Sequence, residues 1–397
     1  MRDRLRFAQL LTTKEVVVVC GPGGVGKTTL AASIAAAAAA DSRRRVLVLT
    51  VDPARRLADA LGIAGIGNEA IEIPPAAFAA VGVAPRGVLC AAMLDVKASW
   101  DALVRRYAPD EAAAATILAS PLYRDLTARF PGSAEYIAME RLHELHTEGG
   151  FDLIVVDTPP GSRALDLFDA PDRLGEFFSS RLLRWLTVPA RSRLGGAASR
   201  VFSHVAERIL GTSFLEEIRT LFVLLGEMQG GFVDRASQVS ALLRADETTF
   251  CVVATPELVP VREAARLLSA LRRRKLHLGL LVANRVLPSC FAAAEAIACA
   301  DVLAAGGAPP GGEVDLDGLD PVAVATALAE AGRSFGDFAA AAASEAAMLS
   351  QLADRQVEPA TITDEMDDVV DLGRLVAIGR LLLDAPAAPR GAPGERT

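Results

Sequence analysis

Short apolar runs alternate along the chain with longer segments in which apolar residues recur at helical spacing. None of the short runs alternates clearly between apolar and polar residues. Strands of this kind are buried on both faces, which indicates a parallel sheet covered by helices. Six such strands are predicted, at residues 15–20, 45–50, 88–94, 151–157, 249–254 and 276–283.

The segments between the strands predict helices, and two of them are too long to be simple connections. Residues 95–148 and 165–245 show helical spacing without a strand signal. We therefore predict a doubly wound, mostly parallel α/β fold over residues 1–384, with a helical subdomain inserted between strands. Residues 385–397 are rich in Pro, Gly and Ala and are predicted to form a disordered tail.

Composition and charge exclude several classes of protein. Apolar residues make up 51% of the chain, and the net charge of −8 argues against a general nucleic-acid binder, whose surface is basic. No run reaches the ~18 apolar residues of a transmembrane helix, and no signal-peptide pattern is visible. The dispersed cysteines fit a reducing compartment. We expect a cytoplasmic protein that binds no nucleic acid and has no transmembrane segment.

Residues 21–28, here called the glycine loop, read Gly-Pro-Gly-Gly-Val-Gly-Lys-Thr and match the pattern G-x-x-x-x-G-K-[ST]. In that pattern the backbone N–H groups surround phosphate oxygens, the lysine reaches the β- and γ-phosphates, and the hydroxyl ligates Mg²⁺. A strand is predicted before the loop and a helix after it, so the loop predicts a site for ATP and Mg²⁺. The residues assigned to this site are Gly21, Gly23, Gly24, Val25, Gly26, Lys27, Thr28 and Thr29. The simpler alternative is a glycine turn before an alanine-rich helix.

Two aspartates follow predicted strands and would lie at the same edge of the sheet. Asp157 ends the strand 151–157 and is predicted to hold the Mg²⁺ shell with Thr28, through a water molecule. Asp52 follows the strand 45–50 and is predicted to orient the attacking water, with Lys27 as the second catalytic residue. The alternatives are a solvated aspartate at a strand end for Asp157 and a helix N-cap before Pro53 for Asp52.

Together these segments resemble the ArsA-type ATPases, which include arsenite-pump ATPases and the targeting ATPases of tail-anchored membrane proteins. Residues 52–54, Asp-Pro-Ala, match the motif whose aspartate handles the hydrolytic water, and residues 157–160, Asp-Thr-Pro-Pro, match the switch after the Walker B strand. The resemblance covers about residues 15–383 and is to single-unit bacterial members. It implies that Asn284 recognises adenine. It also implies a Mg²⁺-dependent ATPase that couples its nucleotide state to dimer conformation and to a partner or client.

The chain departs from this family pattern in three ways. Pro22 stands where the family has a signature lysine that reaches the partner subunit's phosphates, so slow turnover alone and a dimer with a lysine-bearing paralogous subunit are predicted. Arg55 or Arg56 is an alternative source of that charge. Cys290 and Cys299 lack the C-x-x-C spacing, so no zinc is predicted. No cysteine triad for arsenite is evident. The alternative function is a nucleotide-dependent chaperone or scaffold with little intrinsic hydrolysis, acting as one subunit of a heterodimer.

Two weaker patterns have structural interpretations. His143 and His146 are three residues apart on an amphipathic helix, which is more typical of a structural or solvated face than of a metal site. An apolar stripe in the helical subdomain is more typical of core, with a client-binding surface as the alternative. The stripe consists of Phe177, Phe178, Leu182, Leu183, Trp185 and Leu186.

Overall fold

The computed structural model describes residues 6–51, 56–63, 65–129, 133–159, 212–307, 320–352, 357–364 and 371–387. Within this part of the chain, eight strands form one sheet. They are β1 (Val16–Cys20), β2 (Arg45–Thr50), β3 (Ile71–Glu72), β4 (Val88–Met93), β5 (Leu153–Asp157), β6 (Thr248–Ala254), β7 (Leu278–Val286) and β8 (Ala360–Thr363).

The strands lie in the order β3-β4-β2-β5-β1-β6-β7-β8. Every neighbouring pair is parallel except β3 and β4, which are antiparallel. The predicted α/β fold with a mostly parallel sheet is therefore confirmed. β1 lies near the middle of the sheet, and the chain crosses to both sides of it, which is the arrangement of a doubly wound fold.

Helices cover both faces of the sheet. In the described residues they are α1 (Phe7–Leu11), α2 (Lys27–Asp41), α3 (Arg56–Leu61), α4 (Pro75–Ala80), α5 (Val96–Tyr107), α6 (Glu111–Ala119), α7 (Pro121–Arg129), α8 (Ser133–Thr147), α9 (Thr212–Glu227), α10 (Gln229–Arg244), α11 (Leu258–Arg273), α12 (Ala294–Ala304), α13 (Pro321–Leu349) and α14 (Leu372–Asp384), with a 3₁₀ turn at Ser289–Ala292. None of the helices that the structure describes is both long enough and apolar enough to span a membrane.

One face of the sheet is covered by α2, an alanine-rich helix that packs between the sheet and α14. Most of its residues are buried, including the whole run Ala35–Ala40. A helix that is apolar all round is suited to a position with neighbours on every side. The small alanine side chains also allow α14 to approach closely, since the Cα of Gly379 lies against the backbone of Ser33.

The other face of the sheet is covered by helices of the predicted helical subdomain, among them α5, α6, α8 and α10. The guanidinium of Arg235 on α10 donates from Nε to Oε1 of Glu140 on α8 at 2.7 Å, and both side chains are largely buried. Burial raises the pKa of Glu140, and Arg235 opposes that shift. Residues 160–211, with the apolar stripe at 177–186, lie outside the described residues, so the division into a sheet and a helical subdomain stays a prediction.

The structure differs from the predicted elements at the edges of the sheet. The edge strands β3 and β8 were not predicted, and β7 extends to Val286 instead of ending at Ala283. The first residues of the predicted tail, 385–387, are part of the described structure. The N–H of Phe7 donates to the carbonyl oxygen of Ala385 at 2.8 Å, and Ala387 is buried. Residues 388–397 lie outside the described part of the chain.

Two glycines in the interior of helices provide a matched test of the α2–α14 packing. A Cβ at Gly379 would overlap the carbonyl oxygen of Ser33 and lie 2.6 Å from Cβ of Ala37, whereas a Cβ at Gly336 on α13 would meet nothing within 4 Å. We expect Gly379→Ala to lower the free energy of unfolding by about 1–3 kcal/mol because the helices must separate. Gly336→Ala should raise it by up to about 1 kcal/mol, because alanine favours helix. Urea denaturation measures both, and equal effects of the two changes would contradict this packing.

Candidate functional site

The carboxyl ends of the central strands bring the predicted site residues to one edge of the sheet. β5 lies between β1 and β2, and Asp157 is in register with Val19 on one side and with Thr50 on the other. The glycine loop leaves β1 at this edge, and α2 begins at Lys27 with Gly26 as its N-cap. The first N–H groups of α2 therefore face the edge where β5 ends.

The lysine of the glycine loop is folded into the loop. Its side chain is buried, and Nζ donates to the carbonyl oxygen of Pro22 at 2.7 Å. The loop thus surrounds a positive charge next to a helix N-terminus, and both attract anions. Of the other predicted residues, Gly21 and Val25 are buried, Gly23 and Gly24 are exposed, and Gly26, Thr28 and Thr29 are intermediate.

Asp157 is completely buried and accepts two hydroxyl hydrogen bonds on the same carboxylate oxygen. Thr28 Oγ1 donates to Asp157 Oδ2 at 2.7 Å, and Thr50 Oγ1 donates to the same atom at 2.9 Å. This geometry brings together the two residues that the sequence assigned to one metal shell. It also fixes the start of α2 and the end of β2 to the end of β5.

The residues that follow these strands continue along the same edge. Thr158 donates from Oγ1 to the carbonyl oxygen of Val19 at 2.9 Å, and the N–H of Val51 donates to the carbonyl oxygen of Asp157 at 3.1 Å. Asp52 lies outside the described residues, as does Arg55, and the side chain of Arg56 is not described either. In this segment the described chain therefore reaches the edge of the sheet at Val51, the residue before Asp52.

Asn284 also reaches the glycine loop, although 259 residues separate it from its partner. Its Nδ2 donates to the carbonyl oxygen of Val25 at 2.9 Å, and its side chain is half-buried. The structure therefore places Asn284 beside Gly26 and the start of α2. Its predicted contact with adenine stays a prediction.

The thiol that precedes the glycine loop takes no part in this polar cluster. Cys20 is completely buried, which raises its pKa to about 12, and the nearby charge of Lys27 opposes the shift only partly. The thiol is therefore protonated at neutral pH, when it is neither a nucleophile nor a metal ligand.

His143 and His146 contact other side chains of the protein. His146 Nε2 lies 2.7 Å from Glu15 Oε2, and His143 Nδ1 lies 3.2 Å from the hydroxyl of Thr147. Burial lowers the pKa of His143 to about 4, with the charge of Arg235 as a second cause. In the part of the chain that the structure describes, no three His, Cys, Asp or Glu side chains form a metal-binding group. The contacts fit the structural interpretation of this helix.

The chain is similar in sequence to a known protein family. The model of the anion-transporting ATPases, the ArsA ATPase family, matches residues 14–300. The chain belongs to the anion-transporting ATPase family. The resemblance drawn from residues 21–28, 52–54 and 157–160 is thereby confirmed, since all three segments lie inside the matched range.

Curated relatives agree with this membership. The chain is 32% identical over 276 residues to the uncharacterized protein SCO2128 of Streptomyces coelicolor, which covers 68% of this chain and 62% of that protein. It is 26% identical over 285 residues to the ATPase ASNA1 homolog of Entamoeba dispar, covering 70% and 77%. It is 25% identical over 277 residues to the ATPase ASNA1 homolog of Cryptosporidium parvum, covering 70% and 66%. The match thus spans about three fifths of the Streptomyces protein's length.

Thr50 also contacts Asp157 at this edge of the sheet, although the sequence pattern did not predict it. The signal was available, because Thr50 is the last residue of β2 and polar residues are unusual in a buried parallel strand. Threonine is also common in strands because of its β-branched shape. Its position alone therefore did not show whether the hydroxyl makes a specific hydrogen bond or the residue is there only because it favours a strand.

The hydroxyl of Thr50 is testable without any ligand. Thr50→Val keeps the shape of the side chain and removes one of the two hydroxyl donors to the buried Asp157 Oδ2. We expect a loss of about 1–3 kcal/mol in the free energy of unfolding, measured by urea denaturation, because a buried carboxylate loses a hydrogen bond. Thr50→Ser, which retains the hydroxyl, should lose clearly less. A loss in Thr50→Ser as large as or larger than the loss in Thr50→Val would contradict a dominant role for the hydroxyl, because Thr50→Ser removes only the methyl group.

Proposed function

We propose that this protein is a Mg²⁺-dependent ATPase whose site lies at the carboxyl edge of the sheet, around the glycine loop. The observation that carries the proposal is the hydrogen bond between Thr28 and Asp157 beside a buried Lys27. A strand, a glycine loop, a lysine and a hydroxyl at a helix start, and an acid on the neighbouring strand together are the parts of a nucleoside-triphosphatase site. Membership of the anion-transporting ATPases supports ATP as the nucleotide.

The residues at this edge have the chemistry that ATP with Mg²⁺ requires. Magnesium prefers oxygen ligands and is commonly held by one or two carboxylates together with substrate phosphates and water. Thr28 and Asp157 supply a hydroxyl and a carboxylate 2.7 Å apart. When bound, the metal ion neutralises charge that develops on the phosphate oxygens. A small set of protein ligands is therefore sufficient here.

The protein's own groups would hold the phosphates and orient the attacking water. The N–H groups of residues 23–29 would hold the phosphate oxygens, and Lys27 would exchange the carbonyl of Pro22 for the β- and γ-phosphates. Asp52 would orient the attacking water and accept its proton. The N–H of Val51, the residue before Asp52, donates to the carbonyl oxygen of Asp157, which supports a position for Asp52 at the same edge.

Changing Lys27 should weaken ATP binding, whereas changing Asp52 should slow turnover without weakening binding. Lys27→Ala should weaken ATP binding at least about tenfold, because a charge-assisted contact to phosphate is lost. Asp52→Asn should bind ATP with similar affinity and lose about 10²–10⁴-fold in turnover. Calorimetry measures the first effect and phosphate release the second. Lys97→Ala, at an exposed lysine paired with Asp101 on α5, is the control and should change neither. Wild-type ATP affinity in Lys27→Ala would contradict the assigned site.

We further propose that the protein works in the cytoplasm as a dimer, in which a lysine-bearing paralogous ATPase subunit supplies the positive charge that Pro22 lacks. Pro22 contributes only its carbonyl oxygen, to Lys27, and it is buried in the loop. The groups that act within the chain remain in place beside it. In such a dimer, ATP binding would couple to dimer conformation and to a partner or client on the helical subdomain. If turnover stays very slow with every partner, Pro22 favours the alternative of a nucleotide-dependent scaffold.

The role of Pro22 is tested by a charge added at that position. Pro22→Lys should raise the turnover of the protein alone at least about tenfold, since groups that supply charge across a dimer are worth up to 10³–10⁵. Pro22→Ala removes the ring without adding charge and should not raise it. Adding a lysine-bearing paralogue to the wild-type protein should have the same effect as Pro22→Lys, measured as phosphate release. Full activity of a homodimer of the wild-type chain, with no gain from Pro22→Lys, would refute the idea.

A further inference from the structure

We propose that Asn284 is a positioning residue for the glycine loop itself, in addition to any contact with the base. The proposal rests on the ATP site proposed above, and it concerns how the loop acquires its shape. The amide nitrogen of Asn284 donates to the carbonyl oxygen of Val25 at 2.9 Å. Asn284 is therefore engaged with the loop that we propose binds phosphate.

The hydrogen bond fixes the direction of a loop N–H. The peptide between Val25 and Gly26 is planar and trans, so its C=O and N–H groups point in opposite directions. Because Asn284 holds the carbonyl oxygen of Val25 on one side, the N–H of Gly26 points to the other side. In a phosphate-binding loop the N–H groups of this segment are the ones that receive the phosphate oxygens. Asn284 would thus pre-set one of the donors that bind phosphate.

The close fit between Gly26 and Asn284 supports a dedicated contact. Gly26 has φ +88°, a left-handed conformation that glycine adopts without strain. A Cβ at Gly26 would also lie 2.5 Å from Nδ2 of Asn284, so a larger residue at position 26 would displace this amide from its contact with the loop. The backbone of the loop and the side chain of Asn284 are in direct contact at this point.

A distortion of β7 accompanies the contact. β7 has one residue more than β8 between the pairs Ala283–Thr361 and Val286–Thr363, which is a β-bulge. Arg285, inside the bulge, has φ +57°, an uncommon value for a residue other than glycine. Bulges re-aim side chains at the ends of strands. Here the strand departs from regular geometry at the residue that contacts the glycine loop.

One amide would then link the two ends of the nucleotide. Asn284 has two N–H donors and one carbonyl acceptor, and the contact with Val25 uses a single donor. The remaining groups, on a half-buried side chain, are available to the base. Binding at the base would then stabilise the loop conformation that binds phosphate, and the reverse must hold by linkage.

The test uses a ligand that has phosphates and no base. Inorganic tripolyphosphate with Mg²⁺ is titrated into the wild-type protein and into Asn284→Ala, in parallel with ATP. We expect the variant to bind tripolyphosphate about three- to tenfold more weakly, the effect of losing one hydrogen bond, and to lose more for ATP. Thr363→Ala, at an exposed residue of the neighbouring strand β8, is the control and should bind both ligands like the wild type. In the ligand-free variant, amide hydrogen exchange in residues 21–28 should be faster.

Asn284→Asp is a second variant of nearly the same size, for use if Asn284→Ala does not fold. A carboxylate cannot donate to Val25, so the loop should again exchange faster in the absence of ligand, where repulsion of phosphate has no part. Unchanged tripolyphosphate affinity in Asn284→Ala, or unchanged exchange in Asn284→Asp, would overturn the proposal. The proposed ATP site fails separately, if Lys27→Ala binds tripolyphosphate as tightly as the wild type does.

Discussion

The buried carboxylate of Asp157 constrains the whole edge of the sheet on which the site is built. A carboxylate removed from water needs hydrogen-bond donors around it, and here the donors come from two separate segments. Thr28 belongs to the first turn of α2, and Thr50 is the last residue of β2. A single oxygen atom of Asp157 therefore ties the start of α2 and the end of β2 to the end of β5.

The central part of this arrangement could be predicted from the sequence because its signals are local and strong. β1, β2 and β5 are continuous apolar runs, which only a sheet covered on both faces can bury. Once the strands are parallel, their carboxyl ends must share an edge, so Asp157 and the glycine loop had to meet. Asp52 follows from the same logic, but its side chain lies outside the described residues.

The remaining parts depend on contacts that leave no local pattern. β3 consists of two exposed residues, and β8 has one buried residue, Ile362, so neither has an apolar run to recognise. The hydrogen bond from Asn284 to Val25 joins β7 to a loop far away in the sequence, and the bulge that accompanies it is invisible in the residue types. Such contacts can be predicted only once the order of the strands is known.

Pro22 is informative because the neighbouring contacts of the glycine loop are formed although proline stands where the family pattern has lysine. A proline has no N–H and no charge, so it removes from position 22 the two features by which a residue there could bind phosphate. It keeps a carbonyl, and that carbonyl is the group that Lys27 uses. The hydroxyl of Thr28, the carboxylate of Asp157 and the amide of Asn284 are all engaged without help from position 22. What position 22 lacks is therefore one loop N–H and a side-chain charge. In the dimer proposed above, that charge would come from the partner.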